Sequence, residues 1–229
     1  MSALPYYRKS ETGLVLSYSR LQDWHACPRY FQIIYVNGHA TPEMLESDSY
    51  ELGNVDFAYG HAVAGAVQSY LAYGDIQQAK FEIFKQWDIS IFLEKKNKSF
   101  GLAFTAFEKF LEFKDSLEGI CLEGWEVAKL PNGKPAIELN FALDLTDEDC
   151  FNGHIDLVLY HPIEKRFLVL ECKTTGYTTV EESTYGNSDQ GTGYSSVLTA
   201  IASSYPDAKH SWECLYLVYQ CGSQQWRTF

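Results

Sequence analysis

The sequence predicts an α/β fold: a central mixed β-sheet flanked by helices, in a single domain covering residues 1–229. Three observations carry this. Helical apolar periodicity dominates as far as about residue 117, β-forming runs follow from residue 120, and a further helical stripe precedes a last apolar run at 214–220. A chain of 229 residues with 46% apolar and 21% charged side chains can bury a full core, which argues against disorder.

Residues 17–117 read as an N-terminal helical segment placed ahead of the core sheet. Ser19 and Gln22 have capping-box spacing and open a helix. Cys27-Pro28 ends it, and Pro28 suits the first position of a second short helix carrying Tyr30, Phe31, Ile33 and Ile34. Residues 39–56 are polar and acidic, a connection. Over 57–73, Val63, Ala66, Val67, Tyr70 and Leu71 share one helical face. His61 points the other way, beside Ala58, Ala64 and Gly65, and a histidine among small residues marks a place of close approach. Two more helices fill 76–117, the second striped by Phe100, Phe104, Phe107 and Leu111 as core. Just before it, Lys95, Lys96 and Lys98 form the densest basic cluster of the chain. They read as a solvated helix end, and as the place to look for phosphate contact.

Residues 120–146 read as two strands about the turn Pro131-Asn132-Gly133-Lys134-Pro135, with Glu138 in the second. The runs Gly153–Tyr160 and Phe167–Thr175 then flank the Pro-led polar stretch 161–166, so they form a hairpin. Residues 174–189 are rich in Thr, Ser, Gly and Glu, too long and polar for a simple connection and of the kind that gates a site. Gln190 opens a helix striped by Tyr194, Val197, Leu198 and Ile201, which ends before Pro206. Cys214–Gln220 is a last strand joining the sheet.

The hairpin carries charges that a core strand does not need. Asp156 interrupts its first run, and Glu171 and Lys173 close its second. A buried carboxylate costs several kcal/mol unless paired or metal-bound. Glu171 and Lys173, two apart, face one side of their strand, and Asp156 on the neighbouring strand brings a second acid to the same spot. Two readings are open: a cross-strand ion pair, or the minimum set that binds a divalent metal and activates water beside it.

The pattern Gly153-x-Ile155-Asp156, then an apolar strand ending Glu171-x-Lys173, resembles the core motif of PD-(D/E)XK nucleases, and within them the RecB-like exonuclease branch of CRISPR-associated and phage-type enzymes. The resemblance extends to Ser17-x-Ser19-Arg20-Leu21…Cys27-Pro28-Arg29-Tyr30-Phe31, to Gly60-His61, to Glu138, and to Gln190-x-x-x-Tyr194, in chain order from residue 17 to 194. It implies a restriction-endonuclease-like core. It further implies that Asp156, Glu171 and the Cys172 backbone carbonyl hold one or two Mg2+ or Mn2+ ions, with His61 as an added ligand and Glu138 as an accessory acid. Lys173 would orient water or stabilise the phosphate charge. Gln190 and Tyr194 would position the DNA backbone or the water, and Arg20, Lys95, Lys96, Lys98 and Tyr194 are the candidates for DNA contact. Cys27 matches one ligand of the family's iron–sulfur members, but the late cysteine grouping is missing. No iron–sulfur cluster is expected, and Cys27 reads as a buried structural thiol.

The resulting expectation is a Mg2+/Mn2+-dependent DNA exonuclease of recombination, repair or processing. The alternatives are a catalytically silent nuclease-fold binding subunit and a structure- or site-specific endonuclease. The net charge of −12 predicts weak DNA binding by the chain alone, because phosphate affinity comes largely from Lys and Arg; either the basic groove is small or a protein partner supplies part of the DNA contact. No run of 18 apolar residues and no signal-type N-terminus is present, so a soluble, cytoplasmic protein without a membrane partner is expected. Six scattered cysteines fit reduced thiols in the core rather than a disulfide framework.

Overall fold

The structure is a computed structural model and describes residues 13–36, 54–87, 95–116, 119–186 and 212–229; between 187 and 211 it describes Tyr194, Val197, Leu198, Ala202 and 205–208. Gln190 and Ile201 lie outside the described residues. The fold is α/β with a mixed seven-stranded sheet among the described residues. The strands are β1 (Val15–Leu16), β2 (Glu126–Val127), β3 (Ile137–Asp144), β4 (Cys150–His161), β5 (Arg166–Thr175), β6 (Trp212–Gln220) and β7 (Gln225–Thr228). Their order is β1-β4-β5-β6-β7, and β2 and β3 also pair with β4. β1–β4 and β5–β6 are parallel; β2–β4, β4–β5 and β6–β7 are antiparallel.

The chain divides into two compact units, one of Met1–Ser49 with Leu139–His154, the other of Tyr50–Glu138 with Ile155–Phe229. The segment 17–117, expected as one helical block, is therefore distributed between them. In the first unit, helix α1 (Tyr18–Ala26) is capped by Ser17, whose hydroxyl accepts from the Arg20 N–H at 3.4 Å. The expected cap at Ser19 is thus wrong by two residues: Ser17 is the last residue with extended backbone, and only such a residue can turn its side chain onto the first free N–H groups. Helix α2 (Pro28–Phe31) starts at Pro28 as expected and runs into a π-helical turn, Gln32–Val36. Cys27 is exposed, not buried. Its sulfur accepts the Tyr30 N–H at 3.4 Å, so it serves as the cap of α2 at the surface.

In the second unit, helix α3 (Val55–Tyr73) runs from an Asn54 cap to Gly74, whose positive φ ends it. Its expected apolar face is buried at Val63, Ala66 and Val67. Ala58, Tyr59 and Ala62 are buried too, so the helix is enclosed on more sides than one stripe indicates. Helix α4 (Ile76–Gln86) packs along α3, and helix α5 (Phe100–Lys114) buries Ala103, Ala106, Phe107 and Phe110. Trp226 of β7 donates from its indole N–H to the Ala106 carbonyl at 2.9 Å. These helices cover one sheet face through Leu157, Leu159, Leu168, Leu170, Leu217 and Tyr219. Alternation turns Val158, Tyr160, Phe167, Val169, Tyr216 and Val218, all buried, to the other face. There Tyr205 lies against Tyr160 and Phe167 with ring centroids 4.3 and 5.2 Å away. Tyr194, Val197 and Leu198 are helical and buried, as their stripe predicts. No helix among the described residues is long and apolar enough to cross a membrane.

Candidate active site

The hairpin forms as read, with His161 opposite Arg166 across a turn of four residues, 162–165. Its ladder runs inward to the pair Leu157–Leu170. Two residues further along β5, the Cys172 N–H donates at 2.8 Å not to a strand carbonyl but to Asp156 Oδ2. An aspartate in an apolar strand has substituted its side chain for the next rung of the sheet. In a strand the N–H and C=O of one residue point the same way, so the Cys172 carbonyl faces the same gap. Its side chain joins the helix-covered core, away from the acids.

Glu171 is buried to 2% exposure, with both carboxylate oxygens occupied: Oε1 accepts from Lys173 Nζ at 2.6 Å and Oε2 from the Tyr194 hydroxyl at 2.9 Å. Lys173 is half-buried. Burial works to lower its pKa, but the Glu171 carboxylate beside it outweighs that and holds it above the usual lysine range. Asp156 is pushed up to about 8, first by burial and then by the Glu171 charge; Lys173 and the Cys172 N–H oppose the rise. Asp156, Glu171, Lys173 and Tyr194 are therefore one interacting cluster, built from β4, β5 and the helical residues that cross the opposite face.

Glu138, at the start of β3, belongs to the same neighbourhood, since its charge also raises Asp156. It is exposed and has a φ of 47°, a conformation L-residues seldom adopt. His61 is exposed on α3, next to Gly60, where a Cβ would meet Thr174 Oγ1 of β5 at 3.4 Å. The helix thus passes against the end of the strand that carries Glu171 and Lys173. Lys98, expected at a solvated end, is 7% exposed, with its ammonium 2.9 Å from Asp56 Oδ1; Lys95 binds the other Asp56 oxygen and Lys96 is exposed. The sequence signal failed for Lys98 because its partner lies in another element, at the start of α3. Arg20, in the first unit, donates to the Val15 carbonyl and stacks 4.7 Å from the Tyr35 ring centroid, so its guanidinium is tied to that unit's own chain.

Three neighbours were not anticipated. Tyr216 lies beside Glu171 across the parallel β5–β6 pairing, and Tyr185, on helix α6 (Ser183–Gly186), stacks on it at 4.8 Å. The Cys214 thiol is pushed up to about 12 by burial and by the Glu171 carboxylate. No local pattern could have found them, because a parallel pairing across some forty residues leaves no short-range signature.

Among the described residues, no group of three or more His, Cys, Asp or Glu side chains is gathered as a metal cage. Buried Glu171 and half-buried Asp156, raised first by burial and then by the Glu171 charge, nevertheless form a hard-oxygen pair whose repulsion a divalent cation would relieve. That donor set fits Mg2+ or Mn2+, which bind through one or two carboxylates while keeping several waters. No protein-family model matches the chain, and no curated protein matches it.

Proposed function

We propose that the chain is a metal-dependent deoxyribonuclease of the RecB-like PD-(D/E)XK type, with a restriction-endonuclease-like core, that digests DNA from its ends. The observation that carries this is the interrupted ladder: Asp156 takes the Cys172 N–H while Glu171 is held between Lys173 and Tyr194. A merely structural hairpin would continue its backbone rungs and need no second acid beside Glu171. When held by Asp156 and Glu171, with the Cys172 carbonyl and, on the resemblance, His61 as further donors, a divalent ion supplies charge neutralisation at the phosphate and a more acidic water. The chain's own residues do the positioning. The Tyr194 hydroxyl locks the Glu171 rotamer, and the Cys172 N–H locks Asp156. Lys173, with its ammonium still partly open to solvent, orients the attacking water or steadies the charge growing on the phosphate oxygens.

The test is incubation of purified protein with single- and double-stranded DNA and Mn2+, comparing end-labelled linear with closed circular substrates. Mn2+-dependent loss of linear DNA that stops with Asp156→Ala is the expected result. Cleavage of closed circles would instead identify an endonuclease. One observation favours a second reading, a non-catalytic binding subunit: the net charge of −12 is poor for holding DNA unaided. Calorimetric metal titration with and without Asp156→Ala separates the two, since a silent subunit would not need the ion.

A further inference from the structure

We infer that the Lys95–Lys98 turn is a second, rigid contact for the nucleic-acid backbone, gripping one phosphate through Lys96 and Asn97 near the bond served by Glu171 and Lys173. This rests on the nuclease reading and adds to it a site that the acidic cluster does not contain. The turn is closed from both sides: the Lys95 N–H donates to the Lys98 carbonyl at 3.0 Å, and the Lys98 N–H to the Lys95 carbonyl at 3.1 Å. Asp56 clamps both ends, one carboxylate oxygen on each ammonium. Two of the three lysines are thereby spent on holding the turn, and the tip residues are presented by a fixed frame. Lys96 is exposed and makes no ion pair with any described residue. Three positive charges against one Asp56 leave the turn net positive in a chain of net charge −12.

Its location gives the turn a function beyond packing. Asn97 Nδ2 lies 3.9 Å from where a Cβ on Gly176 would stand. Gly176 follows Lys173 by three residues. An extended chain advances about 3.3–3.6 Å per residue, so the tip lies on the order of 10 Å along the chain from the Lys173 backbone. The Lys98–Asp56 pair is also felt by the Cys221 thiol, at the end of β6, where the Cys221 N–H bonds the Thr175 carbonyl at 2.8 Å. The basic turn and the C-terminal end of β5 therefore lie at the same end of the sheet. A ligand reaching both needs a negative charge repeated along an extended chain, as a single nucleic-acid strand has.

The experiment is fluorescence anisotropy with labelled single-stranded DNA in Ca2+, over a salt series, for wild type, Lys96→Ala and Lys96→Arg. The same series is repeated with single neutral methylphosphonates placed along the strand. Losing one phosphate contact removes about 0.7 from the salt slope on a single strand, a weakening of roughly fivefold at 0.1 M salt. Lys96→Ala is expected to show that loss and Lys96→Arg to restore most of it. A methylphosphonate at one position along the strand should weaken wild type and leave Lys96→Ala unaffected. Wild type that cleaves DNA while Lys96→Ala binds with unchanged affinity and slope overturns the contact and leaves the nuclease reading standing. Wild type that neither binds nor cleaves DNA overturns both.

Discussion

Asp156→Asn is the most informative single substitution, because its effect on stability has a sign opposite to that of most buried aspartate changes. The Asn Oδ1 can still accept the Cys172 N–H that Asp156 Oδ2 accepts at 2.8 Å, so the local frame is retained. What disappears is the carboxylate charge beside Glu171. With the folded pKa raised from 3.8 to about 8, the folded state holds this proton more tightly than the unfolded chain does. Stability from that source is fully present below about pH 4 and drains away as pH rises through about 8. Four units at about 1.36 kcal/mol each give an upper bound on the order of 5 kcal/mol. Glu171 shares the titration, so about 2–3 kcal/mol is the working figure. For a chain of this size that corresponds to roughly 4–12 °C in Tm. The assay is thermal unfolding followed by circular dichroism in EDTA, from acidic to mildly alkaline pH. The variant's advantage over wild type should widen as pH rises and shrink when Mn2+ is added to wild type. Parallel Tm curves for the two proteins across that range would refute the claim that buried charge repulsion shapes this site.

Lys173→Ala should cut any metal-dependent cleavage by on the order of 100-fold or more, and should lower Tm as well, because it leaves the buried Glu171 carboxylate without its ammonium partner at 2.6 Å; the circular dichroism spectrum at 25 °C should still be that of a folded chain. Tyr194→Phe removes the hydroxyl that donates to buried Glu171 Oε2, at a cost of about 1–3 kcal/mol by denaturant unfolding; a stability equal to wild type would mean the bond at 2.9 Å contributes nothing. Gly222→Ala would bring a Cβ to 2.8 Å from Thr178 Cγ2 and 3.1 Å from the Gly176 carbonyl oxygen, so it should destabilise by about 1–3 kcal/mol and raise proteolysis within 174–180. Unchanged protease sensitivity there would show that the loop yields without cost.

That last segment also marks where sequence reading stops. Residues 174–189 read as a gating loop, yet the Cys221 N–H to the Thr175 carbonyl and the close approach of Gly222 to Thr178 pin its first residues to the β6–β7 turn. The hairpin, the end of α3 at Tyr73 and the core stripe at Val63, Ala66 and Val67 were legible because each follows from residues near one another in the chain, while the start of α3 lies two residues before the expected residue 57. So was the oddity of Asp156, Glu171 and Lys173, because charges in otherwise apolar strands stand out without any knowledge of their partners. Their alternation also sufficed to send Cys172 to the opposite face.

Partners from elsewhere in the chain were decided only by tertiary structure. Glu171 faces Tyr216 through a parallel pairing, and Asp56 reaches across to bury Lys98; neither leaves a trace in local composition. Periodicity tells which face a residue occupies but not what is packed against it. A charge pattern likewise shows that a site needs compensation without naming the group that supplies it. Whether Asp156 sits at an ordinary carboxylate pKa or near 8 depends on burial and on a second acid brought close by the pairing of two strands, and those are properties of the folded chain alone.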